Sequence, residues 1–245
     1  MSFVPKSIKY DQDVRRQWAR RCVSAVAAGA IAWLPALAAA QGFPTKPVTV
    51  IYPFPPGNPA ENKLRVMYAE AAKTLGQPIV TEYRPGAGGR LGVVAVQKAP
   101  PDGYLLSFAT DSVLTVASQA SPTFHPQVER DYIAIHAPYA VSLTIVSHPS
   151  RSPLLPNVST LKELGYDVSA QSWTAIIGPP GLPAETVNRL NTAFNAAQKT
   201  PEIAKMLASD DSYVSLATPQ AITAQIKSDY DKMGPLVRRL NLKFD

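Results

Sequence analysis

The sequence predicts an α/β fold with a parallel sheet. Short apolar runs rich in β-branched residues alternate with segments of helical periodicity, and short connections join them. Strands that alternate with helices in this way form parallel sheets, because each helix carries the chain back across the sheet. A hydrophobic share of 46% with only 17% charged residues indicates a globular protein with a core. The 24 prolines agree with many strand-to-loop stops.

The first predicted unit is a strand, a turn and a helix. Val48–Tyr52 is a β-branched apolar run that stops at Pro53. Asn58 is placed to cap the next helix, Pro59 suits its first turn, and Glu61 follows the cap by three residues. The apolar positions of this helix repeat at helical spacing and predict one buried face: Leu64, Met67, Ala71 and Leu75.

The turn before this helix is a candidate anion site. A strand that feeds a helix through a tight loop leaves backbone N–H groups at the helix start, and these groups can bind a carboxylate. The same geometry also closes ordinary β–α connections. Both interpretations remain open at this point.

Two more strands follow. The first, Pro78–Glu82, runs into a glycine-rich loop at residues 84–92, after which Val93–Lys98 is a candidate helix. The loop lacks both the G-x-G-x-x-G pattern and a Gly-Lys-Ser/Thr ending, which argues against nucleotide binding. The second strand, Tyr104–Ala109, ends in the polar residues Thr110–Ser112.

Three loops are expected to meet at one rim of the sheet. Ligands on parallel sheets bind beyond the carboxyl ends of the strands. That rule places Pro55–Asn58, Gly86–Gly89 and Thr110–Ser112 close together. An alternative for Asp111 and Ser112, which the sequence supports equally, is that they only cap a loop.

The second half of the chain is predicted to add strands and three helices. Residues 113–150 contain a proline-rich polar loop and then a strand, Tyr139–Ser147, and a later strand, Val168–Ile177, contains Trp173. We expect the helices to cover the N-terminal sheet. Their predicted positions are a long helix with Val187, Leu190, Phe194 and Ala197 on one face, then Ile203–Leu207 and Ala221–Leu236.

No catalytic pattern is visible. His125, His136 and His148 match no metal-binding spacing and no hydrolase triad, so we interpret them as structural or surface residues. We therefore predict that the protein is not an enzyme and uses no metal or cofactor.

Residues 1–40 have the pattern of a secretory signal peptide. Four arginines precede an apolar run from Cys22 to Leu37, and Ala38–Ala40 offers a cleavage site near Ala40. The alternative is an uncleaved membrane anchor. This segment carries four of the six net positive charges, so the basic pI gives no evidence for nucleic-acid binding. Cleavage would also remove Cys22, the single cysteine, and we predict a periplasmic location.

Seven short motifs follow this segment along the chain. They are Phe43-Pro44-Thr45-Lys46-Pro47-Val48, Tyr52-Pro53-Phe54-Pro55-Pro56-Gly57, Leu75-Gly76-Gln77-Pro78, Arg84-Pro85-Gly86-Ala87-Gly88-Gly89, Pro101-Asp102-Gly103-Tyr104, Arg151-Ser152-Pro153-Leu154-Leu155-Pro156 and Gly178-Pro179-Pro180-Gly181-Leu182-Pro183. In this combination and spacing the chain resembles the solute-binding proteins of the tripartite tricarboxylate transporter family, of the Bug or TctC type.

The resemblance implies a periplasmic binding protein of the type II flytrap class, with one largely complete lobe and a stunted second lobe. Lobe 1 would comprise residues 41–112 and 177–245, and residues 113–176 would form a truncated lobe 2. The partners implied are a small organic acid or other carboxylate, and a membrane transporter or sensor. The ligand-binding residues implied are Phe54, Pro55, Pro56, Gly57, Asn58, Glu61, Thr110, Asp111 and Ser112.

The chain departs from the family pattern at three places. Asn58 stands where the family has a second glycine, and Glu61 stands where it has Asp. A long segment that supplies most of lobe 2 is missing near Ser150. These departures raise an alternative function, that of an exported protein-interaction module that no longer binds solute.

Overall fold

The computed structural model describes residues 42–142, 157–159, 163–165, 171–209, 212–214 and 218–243. The predicted signal peptide, the junction at Ser150 and His148 lie outside these residues. Residues 143–147 of one predicted strand and 168–170 of another also lie outside them.

The described residues form seven strands and six α-helices. In chain order these are β1 (Val48–Tyr52), α1 (Pro59–Leu75), β2 (Ile79–Tyr83), α2 (Arg90–Gln97), β3 (Leu105–Thr110), α3 (Ser118–Ala120), β4 (Ile133–His136), β5 (Ala140–Ser142), β6 (Gln171–Gly178), α4 (Ala184–Gln198), α5 (Pro201–Ala208), β7 (Ser212–Tyr213) and α6 (Pro219–Arg239). A 3-10 turn, Ala87–Gly89, precedes α2, and a π-helical segment, Ser112–Ala117, precedes α3. The α/β prediction is confirmed.

The sheet is mixed rather than wholly parallel. Its order is β2-β1-β3-β6-β5-β7, and β4 pairs with the same edge of β6 as β5 does. β1 runs parallel to β2 and β3, as predicted, whereas β6 runs antiparallel to β3. The prediction of a parallel sheet is therefore correct for the first three strands and wrong beyond them. The prediction assumed that a helix carries the chain back across the sheet between consecutive strands, and this pattern does not continue beyond β3.

The first unit folds as its local sequence signals predict. Strand β1 lies between β2 and β3, and four of its five residues are buried. Asn58 caps α1 by accepting the Glu61 N–H at 3.0 Å. The helix ends at Gly76, whose left-handed backbone (φ +76°) lets its N–H reach the Ala72 carbonyl. All four predicted apolar positions of the helix are buried.

The structure corrects the prediction for residues 113–136. A loop was expected there, but the π-helical segment, α3 and strand β4 occupy much of it. Val113 and Leu114 are buried in the core, and the Ser118 hydroxyl donates to the Leu114 carbonyl at 2.7 Å. A π-helix lacks the period of 3.6 residues by which α-helices are recognised, which explains why the sequence pattern did not indicate it.

The C-terminal helices pack partly where expected. Helix α4 buries its predicted face, which consists of Val187, Leu190, Phe194 and Ala197, and packs against α1 and β4. Helix α6 packs against the π-helical segment and β4. Both long helices therefore cover β4, which was not predicted, and α4 also packs against helix α1 of the N-terminal unit.

His136 is fully buried on β4. Its ring stacks on Phe194 with 5.0 Å between centroids, and neither ring nitrogen has a hydrogen-bond partner among the described residues. Burial alone lowers the pKa of His136 to about 3. The folded protein therefore needs the neutral imidazole.

This burial predicts a loss of stability in acid. The unfolded chain protonates His136 below its ordinary pKa of 6.5, whereas the folded chain resists protonation down to about 3. The His136 contribution is thus fully present above pH 6.5 and declines as the pH falls toward 3, by up to about 1.4 kcal/mol per pH unit. Urea unfolding at a series of pH values should show a steeper decline for the wild type than for His136→Phe.

His125 provides the control for this measurement. Its side chain is exposed, and the His125→Gln variant should keep the wild-type pH dependence. Equal slopes for the wild type and His136→Phe would contradict the prediction.

Candidate functional site

The structure places the predicted glycine-rich loop beside residues that directly flank the other two predicted loops. A Cβ atom placed on Gly89 would lie 3.1 Å from Val113 Cγ2, 3.7 Å from Pro53 Cγ and 3.9 Å from Phe54 Cζ. The glycine-rich loop therefore touches both the loop after β1 and the segment after β3. Gly89 has φ +97°, so neither its conformation nor its surroundings suit a larger residue. We call this end of the sheet, which comprises residues 53–58, 86–89 and 110–113, the rim.

The loop after β1 is held by the Glu61 side chain. One carboxylate oxygen of Glu61 accepts the Gly57 N–H, and the other accepts the Tyr83 hydroxyl. Asn58 completes the network, because its Oδ1 accepts from the Tyr52 hydroxyl at 2.8 Å and its Nδ2 donates to the Pro55 carbonyl at 3.2 Å. The structure confirms the predicted helix cap at Asn58. It also shows that the Gly57 N–H already has a carboxylate partner within the chain.

These contacts set the charge of the network. The Tyr83 hydroxyl, followed by the Gly57 N–H, lowers the pKa of Glu61 below its ordinary value. The same hydrogen bond raises the pKa of Tyr83. Burial raises the pKa of Tyr52. At neutral pH the network consists of one carboxylate and two neutral phenols.

An aromatic cluster lies beneath the loop. The Tyr52 ring lies 5.5 Å from that of Phe54, 5.4 Å from that of Phe108 and 6.3 Å from that of Tyr83, measured between centroids. Phe54 is half-buried against this cluster, whereas residues 55–57 are exposed. Because Phe54 packs on this cluster, residues 55–57 form a solvent-facing edge at the rim.

At the end of β3, Asp111 joins two strands. Its Oδ1 accepts the Ser112 N–H at 2.7 Å and the Ser172 hydroxyl at 3.3 Å, and the Trp173 N–H also donates to this side chain. Burial raises the pKa of Asp111 despite these hydrogen bonds. Asp111 thus makes the cap contacts that one of the two sequence interpretations predicted. The exposed Ser112 hydroxyl lies 3.0 Å from the Thr110 hydroxyl.

Sequence reasoning missed Tyr52, Tyr83 and Ser172 as parts of this end of the sheet. Tyr52 and Tyr83 are register partners at the last position of two adjacent parallel strands. A tyrosine at the carboxyl end of each strand was the signal available in the sequence. Ser172 comes to Asp111 through the antiparallel pairing of β6, which the sequence pattern did not indicate.

Two properties of the described residues bear on the class of protein. Every helix in that part of the chain is too short or too polar to cross a bilayer. No three His, Cys, Asp or Glu side chains there are grouped closely enough to hold a metal ion.

Comparison with known proteins identifies the family. The family model described as "Tripartite tricarboxylate transporter family receptor", TctC, matches residues 64–149 and 140–242. The chain belongs to this receptor family. The resemblance drawn from the sequence motifs is therefore confirmed. The family is described as one of receptors rather than of enzymes.

Curated relatives agree with this assignment. Protein BugT of Bordetella pertussis is 34% identical over 121 residues, which cover 49% of this chain and 37% of BugT. A protein encoded in the gbd 5' region of Cupriavidus necator is 31% identical over 158 residues, which cover 64% of this chain and 46% of that relative. This TctC-family chain thus spans less than half the length of these relatives.

Solved structures show the fold. MatC of Rhodopseudomonas palustris with bound malate superposes with a TM-score of 0.72 at 19% identity, over 80% of this chain and 100% of MatC. The periplasmic binding protein BugD gives a TM-score of 0.67 at 18% identity, over 82% of this chain and 99% of BugD. Rpa4515 of R. palustris with adipate gives 0.68 at 16% identity, over 80% and 97%. The predicted periplasmic binding protein-like fold is confirmed.

The Glu61 network yields a prediction for stability. Because the folded-state pKa of Glu61 is depressed, its contribution is present above the unfolded-state pKa and is lost as the pH falls through the folded value. Glu61→Gln should therefore lower the melting temperature by a few degrees at pH 7, and this difference should shrink in acid. Thermal unfolding of both proteins at pH 7 and in acid, followed by circular dichroism, measures this difference in melting temperature.

Glu70→Gln is the matched control on the same helix. Glu70 pairs with Lys73 at 2.6 Å, and the Lys73 side chain is largely exposed, so this pair contributes little. A Glu61→Gln melting temperature no lower than that of Glu70→Gln at pH 7 would count against a stabilising role for the Glu61 network.

Proposed function

We propose that this chain is a periplasmic solute-binding protein for a small carboxylated organic acid, and that it feeds or informs a tripartite tricarboxylate-type transporter. The observation that carries the proposal is the close approach of Gly89 to the residues after β1 and after β3, in a chain of this receptor family. The structural neighbours with malate and adipate support the class of solute, since both ligands are carboxylated acids.

The proposed capture of the solute is noncovalent. Phe54, Pro55, Pro56 and Gly57 form the solute-facing edge, while Asn58 and Glu61 hold that edge in shape. Across the rim, Thr110 and Ser112 offer hydroxyl donors, and Asp111 fixes their position through its contacts with β6. Hydroxyl donors bind a carboxylate without a counter-charge when they are already oriented.

We extend the proposal to the second lobe. The family model matches in two pieces that overlap at residues 140–149, and this split match supports a reduced lobe 2 within residues 113–176. Because a flytrap gains affinity by enclosing its solute, we expect weaker binding than in a receptor with two full lobes.

One observation favours a second candidate function. The Gly57 N–H, which could have met a solute carboxylate, donates instead to Glu61. A rim that satisfies its own donors suits an exported interaction module whose surviving lobe docks a membrane or signalling partner. The experiment below separates this function from solute binding.

Calorimetric titration with malate, adipate and a tricarboxylate tests the first proposal. At least one acid should release or absorb measurable heat, and Ser112→Ala should weaken its binding about threefold to tenfold by removing one exposed hydroxyl donor. Ser209→Ala is the matched control, because Ser209 is also exposed but caps the end of α5, where its hydroxyl donates to the Met206 carbonyl. Absence of heat with every acid would reject solute binding in favour of the interaction module.

A further inference from the structure

Helix α6 ends in a cluster of cations. Residues 238–243, which we call the basic patch, contain Arg238, Arg239 and Lys243 and no Asp or Glu. All three side chains are exposed, and they form no ion pair within the part of the chain that the structure describes. The basic patch therefore carries three positive charges that no neighbouring carboxylate offsets.

Two leucines are exposed in the same patch. Leu240 is 60% exposed and Leu242 is 39% exposed. A single exposed leucine is ordinary on a protein surface. Here two of them stand two residues apart and are flanked by cations on both sides along the chain. The basic patch thus combines apolar and positively charged side chains.

Backbone hydrogen bonds give the basic patch a defined conformation. The Leu242 N–H donates to the Val237 carbonyl at 3.0 Å, and the Asn241 N–H donates to the Arg238 carbonyl at 3.2 Å. Asn241 has a left-handed backbone, with φ +49°. These two bonds and this conformation form a Schellman motif, a common way for a helix to end. The exposed leucines therefore belong to a capped helix end.

Helix stability alone does not explain the basic patch. Cations in the last turn of a helix interact favourably with its dipole, which accounts for the two arginines. The dipole does not account for Lys243, which lies beyond the helix, or for the exposure of Leu240 and Leu242. An anionic bilayer suits both kinds of side chain, because its headgroups attract cations and its acyl boundary accepts apolar groups.

From the unpaired cations and the ordered leucines beside them, we infer that the basic patch docks on an anionic phospholipid membrane. The arginines and the lysine pair with lipid phosphates, while Leu240 and Leu242 enter the boundary of the acyl chains. The contact lies outside the rim and needs no solute, so it stands apart from solute capture. Under the proposed function, it would keep the receptor beside the membrane that holds its transporter.

Vesicle flotation tests this inference. The protein to use is the predicted exported form, which begins at residue 41, because the apolar run at residues 22–37 could itself enter a bilayer. Its described residues form a compact unit of their own. It should bind phosphatidylcholine vesicles that contain phosphatidylglycerol at least about tenfold more tightly than vesicles of phosphatidylcholine alone. High salt should weaken this binding, because salt screens the charges.

Variants of the basic patch test the two kinds of side chain separately. Arg239→Gln combined with Lys243→Gln should weaken binding to the anionic vesicles about 25-fold, at about fivefold for each cation near the lipid surface. Leu240→Ser should weaken it about fivefold, because less apolar surface enters the bilayer.

Matched controls change the same residue types elsewhere. Lys199→Gln combined with Lys205→Gln removes two exposed charges outside the basic patch. Leu164→Ser is the control for Leu240→Ser, since Leu164 is 59% exposed. Both controls should bind the anionic vesicles within about twofold of the unsubstituted protein. Circular dichroism spectra like that of the unsubstituted protein would show that the variants fold.

Three results would overturn the inference. The first is no binding to anionic vesicles, or equal binding to both kinds of vesicle. The second is an equal loss of binding in the patch variants and in their controls. The third is tighter binding to soluble poly-glutamate than to the anionic vesicles, with that binding unaffected by Leu240→Ser. This last result would show that the basic patch serves an acidic protein instead of a membrane.

Discussion

The structure of the rim depends on where the Glu61 carboxylate lies. From the first turn of α1 it reaches back to the Gly57 N–H and across to the Tyr83 hydroxyl at the end of β2. One side chain thereby fixes the loop after β1, the start of α1 and the neighbouring strand end relative to one another. Its buried position is tolerated because both carboxylate oxygens have donors.

A second carboxylate plays the corresponding role at the end of β3. Asp111 joins β3 to β6 through Ser172 and the Trp173 N–H, and the Trp173 indole donates to Asp229 on α6 at 2.8 Å. Both acids at the rim therefore bind donors within the chain. Residues 55–57 and Ser112 face solvent there, and of these groups the Ser112 hydroxyl suits the proposed capture of a carboxylate by neutral donors.

Local signals made the first unit predictable. The β-branched run 48–52, the cap at Asn58 and the helical spacing of α1 are encoded by adjacent residues, and the structure reproduces them. Strand β4 was not predictable in this way, since it is only four residues long and pairs with β6 some forty residues later. Likewise, the contact of Tyr83 with Glu61 depends on strand register. The family and its fold came from the combined motifs, which no single element reveals.

The rim belongs to a sheet whose central strand, β6, has partners on both edges. Strand β6 has partners on both edges, with β3 on one side and β4 and β5 on the other, so the centre of the sheet is complete. Helices α4 and α6 both pack against β4 and enclose the core around it. The shape of the rim is therefore set by the fold before any solute arrives. Under the proposed function, an open rim should bind its solute weakly, because it leaves the solute in contact with water.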